Sequence, residues 1–199
     1  MENALIPTQK TGSKLDLFSS TVCDSIEEAL LFFQVAKNRL IDVNQWDEIC
    51  NTPSSVFRLI NAKGQEIVGL VQEDDYIRIN IPGPGTKIGE GYDWVKVESI
   101  TEKEFSDEEI LSITVRPSHH PLRAFSETAH FFWSEATSTF QVKRKGNTVY
   151  AEVHGRNEAP NNKTSFFVDN LRNTLVGWGA KMGFSYPQWK GLTEGLVKR

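Results

Sequence analysis

TSTFQVKRKGNTVYAEVHGRNE, residues 137–158, is the stretch that decides the fold. Gly146-Asn147 suits a two-residue hairpin turn, and the flanking segments alternate in polarity as half-buried strands do. If that dipeptide is the loop, Val142 faces Ala151 and Phe140 faces Val153, which makes one side apolar. The opposite side pairs Lys143 with Tyr150, Gln141 with Glu152, Thr139 with His154 and Thr137 with Arg156. One buried face and one wet face is the signature of an antiparallel sheet that needs a partner layer on one side only.

The partner layer is expected just downstream of the hairpin. Phe167, Leu171, Leu175, Trp178 and Met182 recur at steps of three or four, an amphipathic helix despite Gly177 and Gly179. Gly183 ends it. Ser185 and Gln188 then form a capping box for a short helix carrying Trp189, Leu192 and Leu196. Upstream, residues 54–117 read as β: 56–60, 67–71, 77–81, 94–97 and 110–115 are strand candidates separated by turn residues. Before them, 14–22 is a first strand. Ser25 with Glu28 caps a helix bearing Ile26, Ala29, Leu30, Phe33 and Leu40. Leu31, Phe32 and Val35 widen its apolar face, so cover on more than one side is expected. Asn44 is placed to cap a short second helix carrying Trp46 and Ile49. Residues 1–13 are expected to be a flexible lead-in, and 14–199 one α+β domain.

A strand, two short helices, a run of antiparallel strands and a closing amphipathic helix is a particular order. With the helix entry Ser25-Ile26-Glu27-Glu28 followed by Trp46, it resembles the START and Bet v 1-like helix-grip superfamily. The resemblance implies a curved antiparallel sheet clasping the C-terminal helix, with the first two helices as support. The chain departs from that pattern in offering eight strand candidates where seven are usual, and in a C-terminal helix split near Gly183. A second likeness competes. Tyr76-Ile77-Arg78-Ile79, a Gly/Pro-rich loop and Trp94-Val95-Lys96-Val97 are similar to the middle of an SH3-like barrel. On that reading the chain holds an SH3-like barrel plus a second small α+β unit, with Tyr76, Tyr92 and Trp94 forming a groove for a partner chain.

Composition narrows the function. A net charge of −4 argues against nucleic-acid binding, and the one tight basic run, Lys143-Arg144-Lys145, abuts a turn. Cys23 and Cys50 form neither a disulfide framework nor a zinc spacing, and read as buried reduced thiols. With no apolar stretch of signal-peptide or membrane-span length, the expectation is a cytoplasmic protein without membrane insertion. The sequon Asn162-Lys163-Thr164 then has no role.

No catalytic motif emerges. The glycine-rich segment 83–91 lacks the Gly-Lys-Ser/Thr and following helix of a phosphate loop; Tyr92-Asp93-Trp94-Val95 follows instead. It reads as a long hairpin loop, of interest as a lid. His119, His120, His130 and His154 have no metal-ligand spacing, so neither metal nor cofactor is expected. The most chemical grouping is His154, Arg156 and Glu158, which share a strand face if the alternation holds. One reading makes His154 a general base and Arg156 an anion grip; the plainer one is an ion-paired, wet sheet face. The leading expectation is a non-catalytic binding protein for a small, partly apolar ligand. Trp94, Phe140, Trp178 and Met182 would line its cavity, joined by His154, Arg156 and Glu158 if their face turns inward.

Overall fold

The computed structural model describes residues 5–50, 55–83, 85–123, 127–181 and 186–199. Its strands are β1 (Ser13–Val22), β2 (Val56–Ile60), β3 (Tyr76–Asn80), β4 (Asp93–Glu104), β5 (Glu108–Pro117), β6 (Thr137–Lys145) and β7 (Thr148–Glu158). Helices α1 (Ile26–Ile41) and α2 (Trp46–Ile49) lie between β1 and β2, and α3 (Phe167–Lys181) and α4 (Tyr186–Leu196) follow β7. All seven strands make one open antiparallel sheet in the order β1-β7-β6-β5-β4-β3-β2.

The hairpin register is the one its turn demands. Phe140 pairs with Val153, Thr139 with His154 and Thr137 with Arg156, and Gly146 supplies the positive φ of the turn. The expected strand at 67–71 does not form. Its backbone is spent on single bonds, Ile67 N–H to the Leu59 carbonyl and Val71 N–H to the Ile41 carbonyl. That leaves seven strands rather than eight. Nor do β2, β3 and β4 close into a separate SH3-like barrel, because β4 continues into β5 and the rest of the sheet. A register shift between Val97 and Ser99 marks a bulge in β4, a device that bends a sheet.

Helix α1 starts as its sequence dictates. The Ser25 hydroxyl accepts from the Glu28 amide at 3.1 Å, and the Glu28 carboxylate accepts from the Asp24 amide at 2.8 Å. Ala29, Phe33, Ala36 and Leu40 are buried against the sheet. Its second apolar side is not covered: Ile26, Leu30, Leu31 and Val35 are exposed, since one layer of sheet meets only one face of a helix. Asn44 does not cap α2. Its side chain instead accepts from the Leu59 amide and donates to the Ile67 carbonyl, tying the helical turn to β2.

One apolar core fills the face of the sheet that α1, α2 and α4 cover. Trp46 sits near its centre, 4.7 Å from the Phe140 ring and 5.6 Å from the Phe57 ring, with its indole N–H on the Leu40 carbonyl. Burying such a side chain contributes about 1.5–3 kcal/mol, and Trp46→Ala would cost about 3–5 kcal/mol. The opposite face carries a smaller cluster of Ile60, Tyr76, Ile88, Trp94 and Ala129.

The two C-terminal helices differ in how they are held. Helix α4 packs Leu192 and Leu196 into the main core, and Thr193 hydrogen-bonds Ser19 of β1 at 2.8 Å. Arg39 of α1 donates to the carbonyls of Gly195, Leu196 and Lys198, a cation at the negative end of that helix. In the first turns of α3 the expected stripe does not face inward. Phe167 is 79% exposed and Leu171 52%, while Asp169, Arg172 and Asn173 are buried. Polar anchorage, rather than the apolar stripe, decides which side of α3 faces inward.

Candidate functional site: a cavity under the C-terminal helices

Space remains between the sheet and α3 and α4. The cavity measures about 500 Å³. Its floor is the inward face of the strands: Phe57 of β2, Ile77 and Ile79 of β3, Val95 of β4, Val115 of β5 and Phe140 of β6. These are alternate residues, which is why Val95 looks into the cavity and Trp94 does not. Leu175 and Val176 of α3 and Trp189 of α4 close it from above, and Trp46 and the 130–132 segment complete the walls. The volume falls within the range of small-molecule sites, and the walls are mostly apolar with a few polar groups, as such sites are.

Three polar anchors set α3 over this space. The glycine-rich loop turns its amides on a carboxylate of its own chain: Lys87 and Ile88 donate to Asp169 at 2.9 and 3.1 Å. Backbone amides in a turn favour an anion, and here the anion is internal. Arg172 forks onto Asp93 at 2.5 and 3.2 Å, a pair whose side chains are only 5% and 1% exposed. Asn173 donates to the Asn161 carbonyl at 2.8 Å.

Among the described residues the polar lining consists of Glu158, His130, Ser138, Ser55 and Gln188. His130 accepts from the Phe132 amide through Nδ1 at 2.9 Å, which puts its proton on Nε2. Burial, assisted by the nearby Arg172 charge and opposed by Asp93, brings its pKa down to about 4, so it is neutral at physiological pH. Gln188 is already engaged: it accepts from the Ser55 amide and donates to the Cys50 thiol. Burial lifts the Glu158 carboxyl to about 7, against the opposing pull of Ser13 and the Arg156 charge.

Glu158 enters the cavity because the strand alternation breaks just before it. Asn157 has φ 57, the left-handed region, so Glu158 no longer shares a face with His154 and Arg156. Asn157 is held there by the N-terminal segment. Its side chain accepts from the Lys10 and Thr11 amides and donates to the Thr8 carbonyl, while its own amide donates to Gln9. Gly155 leaves room for the result, since a Cβ there would stand 2.1 Å from a Glu158 carboxyl oxygen.

The residues singled out from sequence therefore divide. Phe140 and Glu158 line the cavity. Trp94 lies on the other face of the sheet, its indole N–H on the Gly89 carbonyl at 3.0 Å and its ring 4.6 Å from that of His120. Tyr76 is packed in the same cluster. His154 and Arg156 stay on the outer face in a lattice of alternating charge. His154 meets Asp16 at 2.6 Å through one ring nitrogen and Glu152 at 3.1 Å through the other, and Arg156 meets Asp16 at 2.7 Å. Burial works to raise the Asp16 carboxyl, but the bonds from His154 and Arg156 outweigh it and hold it below the ordinary value. Met182, the side chain of Trp178 and the capping residue Ser185 lie outside the described residues. Trp46, Phe57, His130 and Trp189 were not marked as site residues by sequence. The alternation of Phe57 with Leu59 in β2 could have marked Phe57, and the run His130-Phe131-Phe132 could have marked His130; Trp46 and Trp189, which sit in helices, carry no such signal.

No protein-family model matches the chain, and no curated protein matches it in sequence. Solved structures similar to it include a hypothetical protein from Helicobacter pylori, 9% identical, with a TM-score of 0.49 over 92% of this chain and 87% of that one. Norcoclaurine synthase from Thalictrum flavum is 7% identical with a TM-score of 0.36, covering 100% and 99% of the two chains. Ginseng major latex-like protein 151 from Panax ginseng is 13% identical with a TM-score of 0.32, covering 85% and 98%. Likenesses this distant carry no functional argument; the cavity does. No helix among the described residues is long and apolar enough to cross a membrane.

Proposed function

We propose that the chain is a non-catalytic binding protein that holds a small, partly apolar ligand between its sheet and its C-terminal helices. The observation that carries this is the cavity of about 500 Å³, walled by Trp46, Phe57, Phe140 and Trp189. An apolar ligand entering it would remove that lining from water, a favourable transfer of about 25 cal/mol per Å² of apolar surface. Aromatic walls offer large contact area at low entropic cost. The alternative of catalysis at the His154 face has less support, since both ring nitrogens are occupied by carboxylates and the group stands on the side away from the cavity. A cytoplasmic setting fits Cys23 and Cys50, two buried free thiols.

Native mass spectrometry of freshly purified protein tests the reading, together with tryptophan emission, to which Trp46 and Trp189 contribute, during titration with an apolar probe such as anilinonaphthalene sulfonate. A co-purifying small molecule, or saturable quenching lost in Phe140→Asp, is expected. A protein that neither carries a ligand nor responds to any apolar probe overturns the proposal.

A further inference from the structure

Taking the cavity as a ligand site, its charge narrows what it takes. Among the described residues its lining contains one carboxyl, Glu158, and no Lys or Arg. The neighbouring strand cation, Arg156, is spent on Asp16 on the outer face. His130 is fixed by its Nδ1 bond to the Phe132 amide and offers a donor on Nε2. An anionic ligand would lose its hydration and meet no cation among the described lining residues, whereas a cationic one finds both a carboxyl and aromatic faces.

The position of that carboxyl is built rather than incidental. A left-handed asparagine held by four hydrogen bonds to residues 8–11 turns it inward, and Gly155 clears the space it occupies. A solvent-facing glutamate would need neither device. We infer that the ligand is an amphiphilic amine, whose ammonium sits on Glu158 while its apolar body lies among Phe57, Phe140 and Trp189. His130 Nε2 serves a hydroxyl or carbonyl oxygen of the same molecule. This rests on the cavity reading of the preceding subsection and goes beyond it in assigning a charge and a contact atom.

Three probes of one shape separate the two readings: phenylpropylamine, phenylpropanol and phenylpropionate, each titrated against the protein's tryptophan emission. At about pH 8.5, above the Glu158 value of about 7, the amine is expected to bind tighter than the alcohol, with the acid weakest. A charge-assisted contact in an apolar site makes that preference about tenfold to a hundredfold. It should shrink at about pH 5.5, where Glu158 is protonated and the amine still charged. The groups around Glu158 that bear on this are Ser13, Arg156 and, across the cavity, His130. Glu158→Gln, which keeps the shape, is expected to bring amine and alcohol to equal affinity. Equal affinities in the wild-type protein, or a preference unchanged in Glu158→Gln, would overturn the amine assignment while leaving the cavity reading standing. Binding of none of the three overturns the amine assignment; the cavity reading falls with it only if no ligand co-purifies and anilinonaphthalene sulfonate gives no response either.

Discussion

Replacing Arg172 by Met tests whether polar anchorage sets α3 in place. Arg172 and Asp93 are joined by two hydrogen bonds, and both side chains are almost wholly withdrawn from water. The substitution keeps much of the side chain's length but leaves the Asp93 carboxylate buried, with the Phe131 amide at 2.8 Å still donating to it. Removing one partner of such a pair costs about 3–5 kcal/mol, most of it the cost of the abandoned charge. For a chain of this size that corresponds to a fall in melting temperature of roughly 6–20 °C. Urea denaturation at neutral pH measures the change directly, and Asp93→Asn completes a double-mutant cycle. The double variant should be less destabilised than the sum of the singles, because a neutral amide at position 93 no longer needs the guanidinium. Hydrogen exchange localises the effect, with amides of α3 losing protection first. A loss below about 1 kcal/mol, or strictly additive singles, would refute the reasoning and return the orientation of α3 to its apolar stripe.

Gly155→Ala should cost about 1–3 kcal/mol, since it strikes the flexible end of the Glu158 side chain and also meets the Leu15 Cβ at 3.2 Å. It should push that carboxyl out of the cavity, seen as a fall of its NMR-titrated pKa from about 7 toward the ordinary value. Stability itself should depend on pH through Glu158: its folded value is raised, so the favourable contribution is complete below about 4.5 and is lost as pH rises through about 7. Urea midpoints across that window should fall in the wild type and flatten in Glu158→Gln. His130 acts in the other direction: its folded value is depressed, so its contribution is present above about 6.5 and lost as pH falls through about 4. Replacing it by Asn should flatten the acid limb of the same curve. Both cysteines should resist a thiol reagent in the native protein and react on unfolding, since both are buried and burial pushes the Cys50 thiol up to about 11.

How much of the fold and the cavity was readable in the chain depends on the range of the interactions involved. The β6–β7 register was legible because a two-residue turn and a period of two fix it locally, and every pair from Thr137 with Arg156 to Lys143 with Tyr150 stands as the sequence implied. The cap at Ser25 was legible for the same reason. Glu158 was singled out, but its direction was hidden: nothing within β7 announces the left-handed Asn157, which is held by Thr8 to Thr11 at the far end of the chain. Helix α3 shows the converse failure. Its period was plain, but the buried side is set by Asp93 and by the amides of Lys87 and Ile88, partners that no periodicity reveals. At 67–71 an apolar run was read as a strand, yet a strand requires a neighbour along its length, and this one bonds only at its two ends.

The pairing of β1 with β7 has a consequence for synthesis. The first of the described strands to be made is the edge strand β1, whose only sheet neighbour is the last one made, β7, and whose Ser19 and Thr21 hydroxyls bond to Thr193 and the Val197 carbonyl. At ordinary elongation rates the ribosome needs roughly 6 to 25 seconds to travel from the end of β1 to the start of β7. For that time β1 has no strand to pair with. β1 is thus the strand that waits longest for its sheet neighbour.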